Sequence, residues 1–176
     1  MGKQEPVPMS YISKSASLSE CGMYRYTLER SWAFLDGSTL VLGKGTCCFV
    51  MLNPSTADGT QDDPTIRRCI NFARSWGYDK LVVRNLFPWR ATDPRDLFNA
   101  ETVIGGDRGN QELLNALDAD LVICAWGASV PFRRDLEALE MFSRFPKRLH
   151  CLELTKHGKP RHPLYVRADR QPQVFR

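Results

Sequence analysis

Two asparagines and a histidine stand where apolar runs of this chain give way to polar loops. Asn53 ends the run 47–52 and opens the turn Asn53-Pro54-Ser55; Asn85 ends the Val-rich run that starts at residue 81; His162 precedes Pro163 in the basic loop 156–165. A carboxamide carries a donor and an acceptor side by side, and an imidazole switches role near neutral pH. A residue before proline is held extended, which fixes the direction of the His162 ring. Phe87 and Trp89 are large rings in the loop 86–90, where they suit stacking on a flat ligand, and Arg90, Arg161 and Lys156 supply positive charge. Together these groups suit a planar, polar ligand with anionic parts, Pro54 and Ser55 shaping the first loop.

Such residues meet only if the strands that carry them run parallel. The chain alternates strand-like and helix-like segments from residue 47 onward. Strands are expected at 47–52, 81–85, 121–126 and 148–152, and helices at 64–76, 110–117 and 131–142. The helix at 64–76 has a complete set of boundary residues: Asp63 as N-cap, Pro64 at the first position and Gly77 as the stop. This alternation predicts an α/β three-layer sandwich around a mostly parallel four-stranded sheet, with the loops after all four strands on one edge. The aromatic–polar alternation at 24–32, followed by Asp36-Gly37, predicts an N-terminal β-hairpin. The expected organisation is a loosely held segment at 1–20, one α/β domain at 21–167 and a polar tail at 168–176.

Composition narrows the class. With 176 residues, 43% hydrophobic and 25% charged, the chain fits one domain with a real core and carries no apolar run long enough to span a bilayer. Its first residues lack the apolar stretch of a secretory signal, so a cytoplasmic location without membrane partners is expected. The six cysteines form no C-x-x-C pair and fall largely in strand- and helix-like segments, which predicts reduced, mostly buried thiols. A net charge of +4 permits an anionic partner without requiring one. There is no G-x-G-x-x-G, Walker loop, G-x-S-x-G or H-E-x-x-H, and no cofactor or metal is expected.

Several residues have plainer readings. Trp126 suits the core, His157 a mobile loop, and Arg67 and Arg68 a pairing with Asp62 or Asp63. Asp58, Asp62 and Asp63 lack a His or Glu partner at ligand spacing.

The runs 52–58 (LNPSTAD) and 63–69 (DPTIRRC), then Asn85-Leu86-Phe87, Arg90 to Pro94, and His162-Pro163-Leu164-Tyr165 resemble a bacterial and phage family catalogued as domain of unknown function 1643. That resemblance covers roughly residues 24–166. More distantly, the order Asn53-Pro54, Asn85, His162-Pro163 is similar to the motif order of the uracil-DNA glycosylase superfamily. This wider likeness implies that fold. It also implies Asn53 and His162 as catalytic residues, with Asn53 positioning water and His162 donating to the departing base. Asn85 would read the base edge, Phe87 or Trp89 would stack on it, and Arg90, Arg161 and Lys156 would hold phosphate. The implied partner is a nucleobase, nucleotide or nucleic acid. Asn53 stands where the fastest members place an Asp, and Leu164 where a Ser grips DNA. A non-catalytic nucleotide- or nucleic-acid-binding module and a metal-dependent phosphoesterase using Asp58, Asp62 and Asp63 stay open as alternatives.

Overall fold

A computed structural model describes residues 11–99 and 103–176. The parallel centre of its sheet is built from the four expected strands: β5 (Thr46–Met51), β6 (Lys80–Asn85), β7 (Leu121–Cys124) and β8 (His150–Cys151). With β1 (Tyr11–Leu18), β2 (Arg25–Trp32) and β9 (Gln173–Val174), the full sheet has seven strands in the order β1-β2-β6-β5-β7-β8-β9, so the four-stranded expectation is too small. On one side β2 runs antiparallel to β6, and β1 runs antiparallel to β2. On the other, the short β9 closes against β8. Residues expected to be loosely held at the N-terminal end and in the polar tail therefore include strands; residues 1–10 lie outside the described part. The Asp36-Gly37 turn does form a hairpin, β3 (Phe34–Asp36) with β4 (Thr39–Val41), but as a separate two-stranded sheet whose Leu35 and Leu40 are exposed.

Alternation along β5 divides the interior in two. Cys47, Phe49 and Met51 pack on one face with Ile66, Ile70, Phe72 and Trp76 of α1 (Pro64–Ser75). Cys48 and Val50 pack on the other with Leu113 of α2 (Gly106–Leu114), and with Ala138 and Phe142 of α3 (Arg134–Ser143). A strand buried on both faces needs an unbroken apolar run, which is why 47–52 shows no polar alternation. The expected boundaries of α1 hold: Asp63 accepts from the Ile66 amide at 2.8 Å, and Gly77 turns the chain at φ 87°, where a Cβ would be strained. The chain moves from β5 to β6 on one side and returns to β7 on the other, so the order reverses at β5. Open α/β sheets bind ligands at that point, beyond the carboxyl ends of the strands.

All six cysteines are free thiols, five of them buried. Burial pushes Cys48 up to about 12 and raises Cys47, Cys69, Cys124 and Cys151 as well. Cys21 is exposed, and a hydrogen bond with the Ser19 hydroxyl lowers its pKa.

Candidate functional site

Where the sheet order reverses, a cleft of about 220 Å³ opens beyond the strand ends. Met51, Leu52, Asn53 and Ser55 enter it from the end of β5, Asn85 from β6, Trp126 from beyond β7, and His162 from the loop before the last 3₁₀ turn. Parallel pairing brings these together: Met51 is in register with Asn85, and Val50 with Cys124. Four residues proposed from the sequence therefore line one cleft: Asn53, Ser55, Asn85 and His162.

Asn85 is 5% exposed, and among the described residues neither its Nδ2 nor its Oδ1 has a hydrogen-bond partner. A buried amide left with both ends unmade costs on the order of 1–3 kcal/mol per group, unlike the paired polar groups typical of interiors. Trp126, 2% exposed, adds an unpartnered Nε1–H to the same cleft. Asn53 differs. Its Nδ2 donates to the Ala91 carbonyl at 2.7 Å and to the Pro54 carbonyl at 3.0 Å, and the Ala91 amide donates to the Pro54 carbonyl at 3.0 Å. Its amide nitrogen thus braces the β5 loop against the β6 loop.

His162 is held from two sides. The Leu164 amide donates to its Nδ1 at 3.3 Å, so the neutral ring carries its proton on Nε2. Burial lowers its pKa below the ordinary 6.5, with the Asp63 carboxylate pulling it partly back, and the ring is neutral at pH 7. Arg68, one turn into α1, donates to the carbonyls of Pro163 and Val166 and so clamps the loop on either side of the 3₁₀ turn. The expected pairing with Asp62 or Asp63 does not form at Arg68, whose partners are these loop carbonyls, while Arg67 donates to the backbone carbonyl of Asp62.

Arg25 lines the cleft although the sequence did not single it out; Asp63, expected as a helix cap or metal ligand, and Trp126, expected in the core, line it as well. Arg25 opens β2, and because its amide donates to the Pro88 carbonyl at 2.9 Å, the start of this antiparallel strand lies at the carboxyl end of β6. It is 2% exposed. Its Nη1 donates to the Ala57 carbonyl at 2.7 Å, its Nε has no partner, and among the described residues no carboxylate oxygen lies within 4.0 Å. Burial lowers its pKa to about 10, so it stays charged at neutral pH. Asp63 caps α1 with Oδ1 and also lines the cleft. Only a strand running backwards could bring Arg25 here, and no local motif signals that.

The other candidates lie elsewhere. Phe87 is fully buried in the second core, edge-on to Phe132, so a stacking role for it is corrected by its packing. Trp89 is half-buried, meets the Tyr24 ring at 5.4 Å and packs on that same core. Pro54 is buried and contributes its carbonyl as the brace acceptor. Arg90 donates to the Gly22 carbonyl, and Arg161 pairs with Glu153 at 3.4 Å; neither lines the cleft. Lys156 and His157 are exposed, and His157 borders a separate depression beside Lys159. The three acidic residues proposed for metal binding are each engaged separately. Asp58 accepts from Thr60 and Gln61, Asp62 from Tyr11 and Arg30, and Asp63 from Ile66. No group of three metal-ligating side chains forms among the described residues.

No curated protein and no solved structure matches the chain. A family model described as protein of unknown function (DUF1643) matches residues 25–164, a span that runs from Arg25 through Asn53 and Asn85 to His162. The chain belongs to the DUF1643 family.

Proposed function

We propose that the cleft recognises a nucleobase by its hydrogen-bonding edge and that the protein hydrolyses an N-glycosidic bond. The observation that carries this reading is Asn85: a buried carboxamide with donor and acceptor both unsatisfied, facing a cavity. An adjacent donor and acceptor match the amide-like edge of a pyrimidine or purine, and enzymes acting on bases read the extruded base this way. Trp126 offers a further donor from the wall.

In the hydrolysis, a water oxygen bonds to the sugar carbon as the carbon–nitrogen bond breaks, and the bonding electron pair departs with the base. The Asn53 oxygen, whose amide nitrogen is already committed, orients the water. Asp63 takes the proton that the water loses and returns it through solvent to the departed base. His162, neutral with its proton on Nε2, donates to a base oxygen as negative charge builds there. A preorganised donor in that place is worth roughly 10²–10³ in rate.

A second reading, recognition without cleavage, is favoured by the commitment of Asn53 Nδ2 to the Ala91 and Pro54 carbonyls. That gives the strand-end asparagine a bracing role with no chemistry. One screen separates the two. Purified protein is incubated with oligonucleotides carrying uracil or hypoxanthine and with free nucleosides, beside N85A and H162A. Base release by the wild type, lost in both variants, is the expected result. A melting shift without release supports recognition alone. The absence of both release and a melting shift refutes the base-binding proposal.

A further inference from the structure

Buried charges in proteins are paired, or they neutralise, because isolating an ion from water costs several kcal/mol. Arg25 does neither. It is nine-tenths buried or more and remains charged; among the described residues its Nε has no partner and no carboxylate lies within 4.0 Å, and it lines the cleft that holds the unpartnered Asn85. The cation lines a cavity that a ligand can fill.

We infer that Arg25 is the counter-charge for an anionic ligand and that this ligand is a nucleobase in its N-deprotonated form, the state in which a base leaves a sugar. The inference rests on the base-recognition reading and adds the ionisation state of what is bound. Asn85 supplies the edge contacts, His162 a neutral donor, and Arg25 the only full positive charge lining the cleft among the described residues. A guanidinium presents several N–H donors in one plane and so matches the two or three heteroatoms over which such an anion spreads its charge. The charged groups acting on Arg25 come from every side. Asp63 at the start of α1 and Asp58 in the β5–α1 loop attract it, while Arg90 beyond β6 and Arg30 on its own strand oppose it. Burial holds His162 below its ordinary 6.5 and brings Arg25 down only to about 10, so from pH 7 to 9 neither of these two groups changes charge while the ligand does.

Uracil and 5-fluorouracil are the probes, since fluorine makes the ring N–H more acidic and adds one small atom. Calorimetric binding from pH 7 to 9 is compared for wild type, R25M and R25K. In the wild type, 5-fluorouracil binds at least tenfold tighter than uracil at pH 7, and affinity for each base rises with pH until its own N–H has ionised. R25M binds both bases alike with a flat profile, and R25K keeps the pH slope at lower affinity. Melting of R25M establishes that it folds; if it does not, the wild-type and R25K profiles still decide. Equal, pH-independent binding of both bases by the wild type overturns the inference and leaves base recognition standing. So does a preference that survives R25M. Failure of either base to bind the wild type overturns both.

Discussion

Strand β2 carries two buried arginines, and the contrast between them separates scaffold from site. Arg30 is fully buried, and each of its five N–H groups has an acceptor. Nε donates to Asp62, Nη1 to the Ser15 and Glu29 carbonyls, and Nη2 to the Asp58 and Gln61 carbonyls. Asp62 in turn accepts from Tyr11 at 2.5 Å. That cluster ties β1, β2 and the acidic loop before α1 into one unit. Arg25, five residues earlier, is as well buried and, among the described residues, makes a single side-chain hydrogen bond, to the Ala57 carbonyl. Equal burial with unequal satisfaction means unequal purpose. A guanidinium whose donors are all spent holds the fold; one left unspent at a cavity is held by the fold for something else.

The largest effect should come from breaking the satisfied member. R30A takes the guanidinium from the Asp62 carboxylate and from four carbonyls at once, and it should cost about 3–5 kcal/mol in urea denaturation, the range for removing one partner of a buried pair. R25M should stay within about 1 kcal/mol of wild type, because it removes a desolvated charge along with one hydrogen bond. A comparable loss in both variants would erase the distinction. Next in size is the loop clamp. R68M frees the Pro163 and Val166 carbonyls and loosens His162 without touching the cleft, so turnover of any base-releasing reaction should fall about 10²-fold, as for a 1 Å misplacement, with folding little changed. Smaller still, N53A removes one hydrogen bond between the β5 and β6 loops and one within the β5 loop, and should cost about 1–2 kcal/mol.

Acidity gives the mildest test. Burial raises the pKa of Asp62, but hydrogen bonds from Tyr11 and Arg30 outweigh it and leave it below the ordinary 3.8. Its contribution is complete above that value and is lost as pH falls through the lower folded value. His162 works at higher pH. Its folded pKa lies below 6.5, so between 6.5 and that value the unfolded chain binds more protons and stability declines as pH drops. Below pH 4 the wild type should lose stability that D62N lacks from the start. Between pH 7 and 5 the wild type should decline more steeply than H162Q. Parallel curves throughout would remove both assignments.

Much of this arrangement was legible in the sequence. The apolar run of β5, its abrupt end at Asn53 and the cap and stop of α1 are local signals, and parallel alternation then forces Asn53, Asn85 and His162 toward one edge. What escaped was non-local. β1 is serine-rich and half-exposed, and its place depends on β2 and on Tyr11 reaching Asp62, fifty-one residues away. Arg25 joins the cleft only because β2 runs antiparallel to β6. Phe87 misled for the opposite reason: a ring expected in a loop continues the β6 run into the second core. Asp63 was recognised as a cap, and nothing in its spacing indicated that a capping carboxylate also borders the cleft.

The thiols have a practical consequence. Five are sealed in the two cores and held protonated, while Cys21 stands in solvent next to Gly22, whose carbonyl anchors Arg90, and four residues before Arg25. The native chain therefore carries its own single attachment point for a maleimide fluorophore or spin label, at the mouth of the strand that delivers Arg25. Ellman titration should count one fast thiol in the folded protein and six in denaturant, and a dye placed there would report cleft occupancy without any engineered residue.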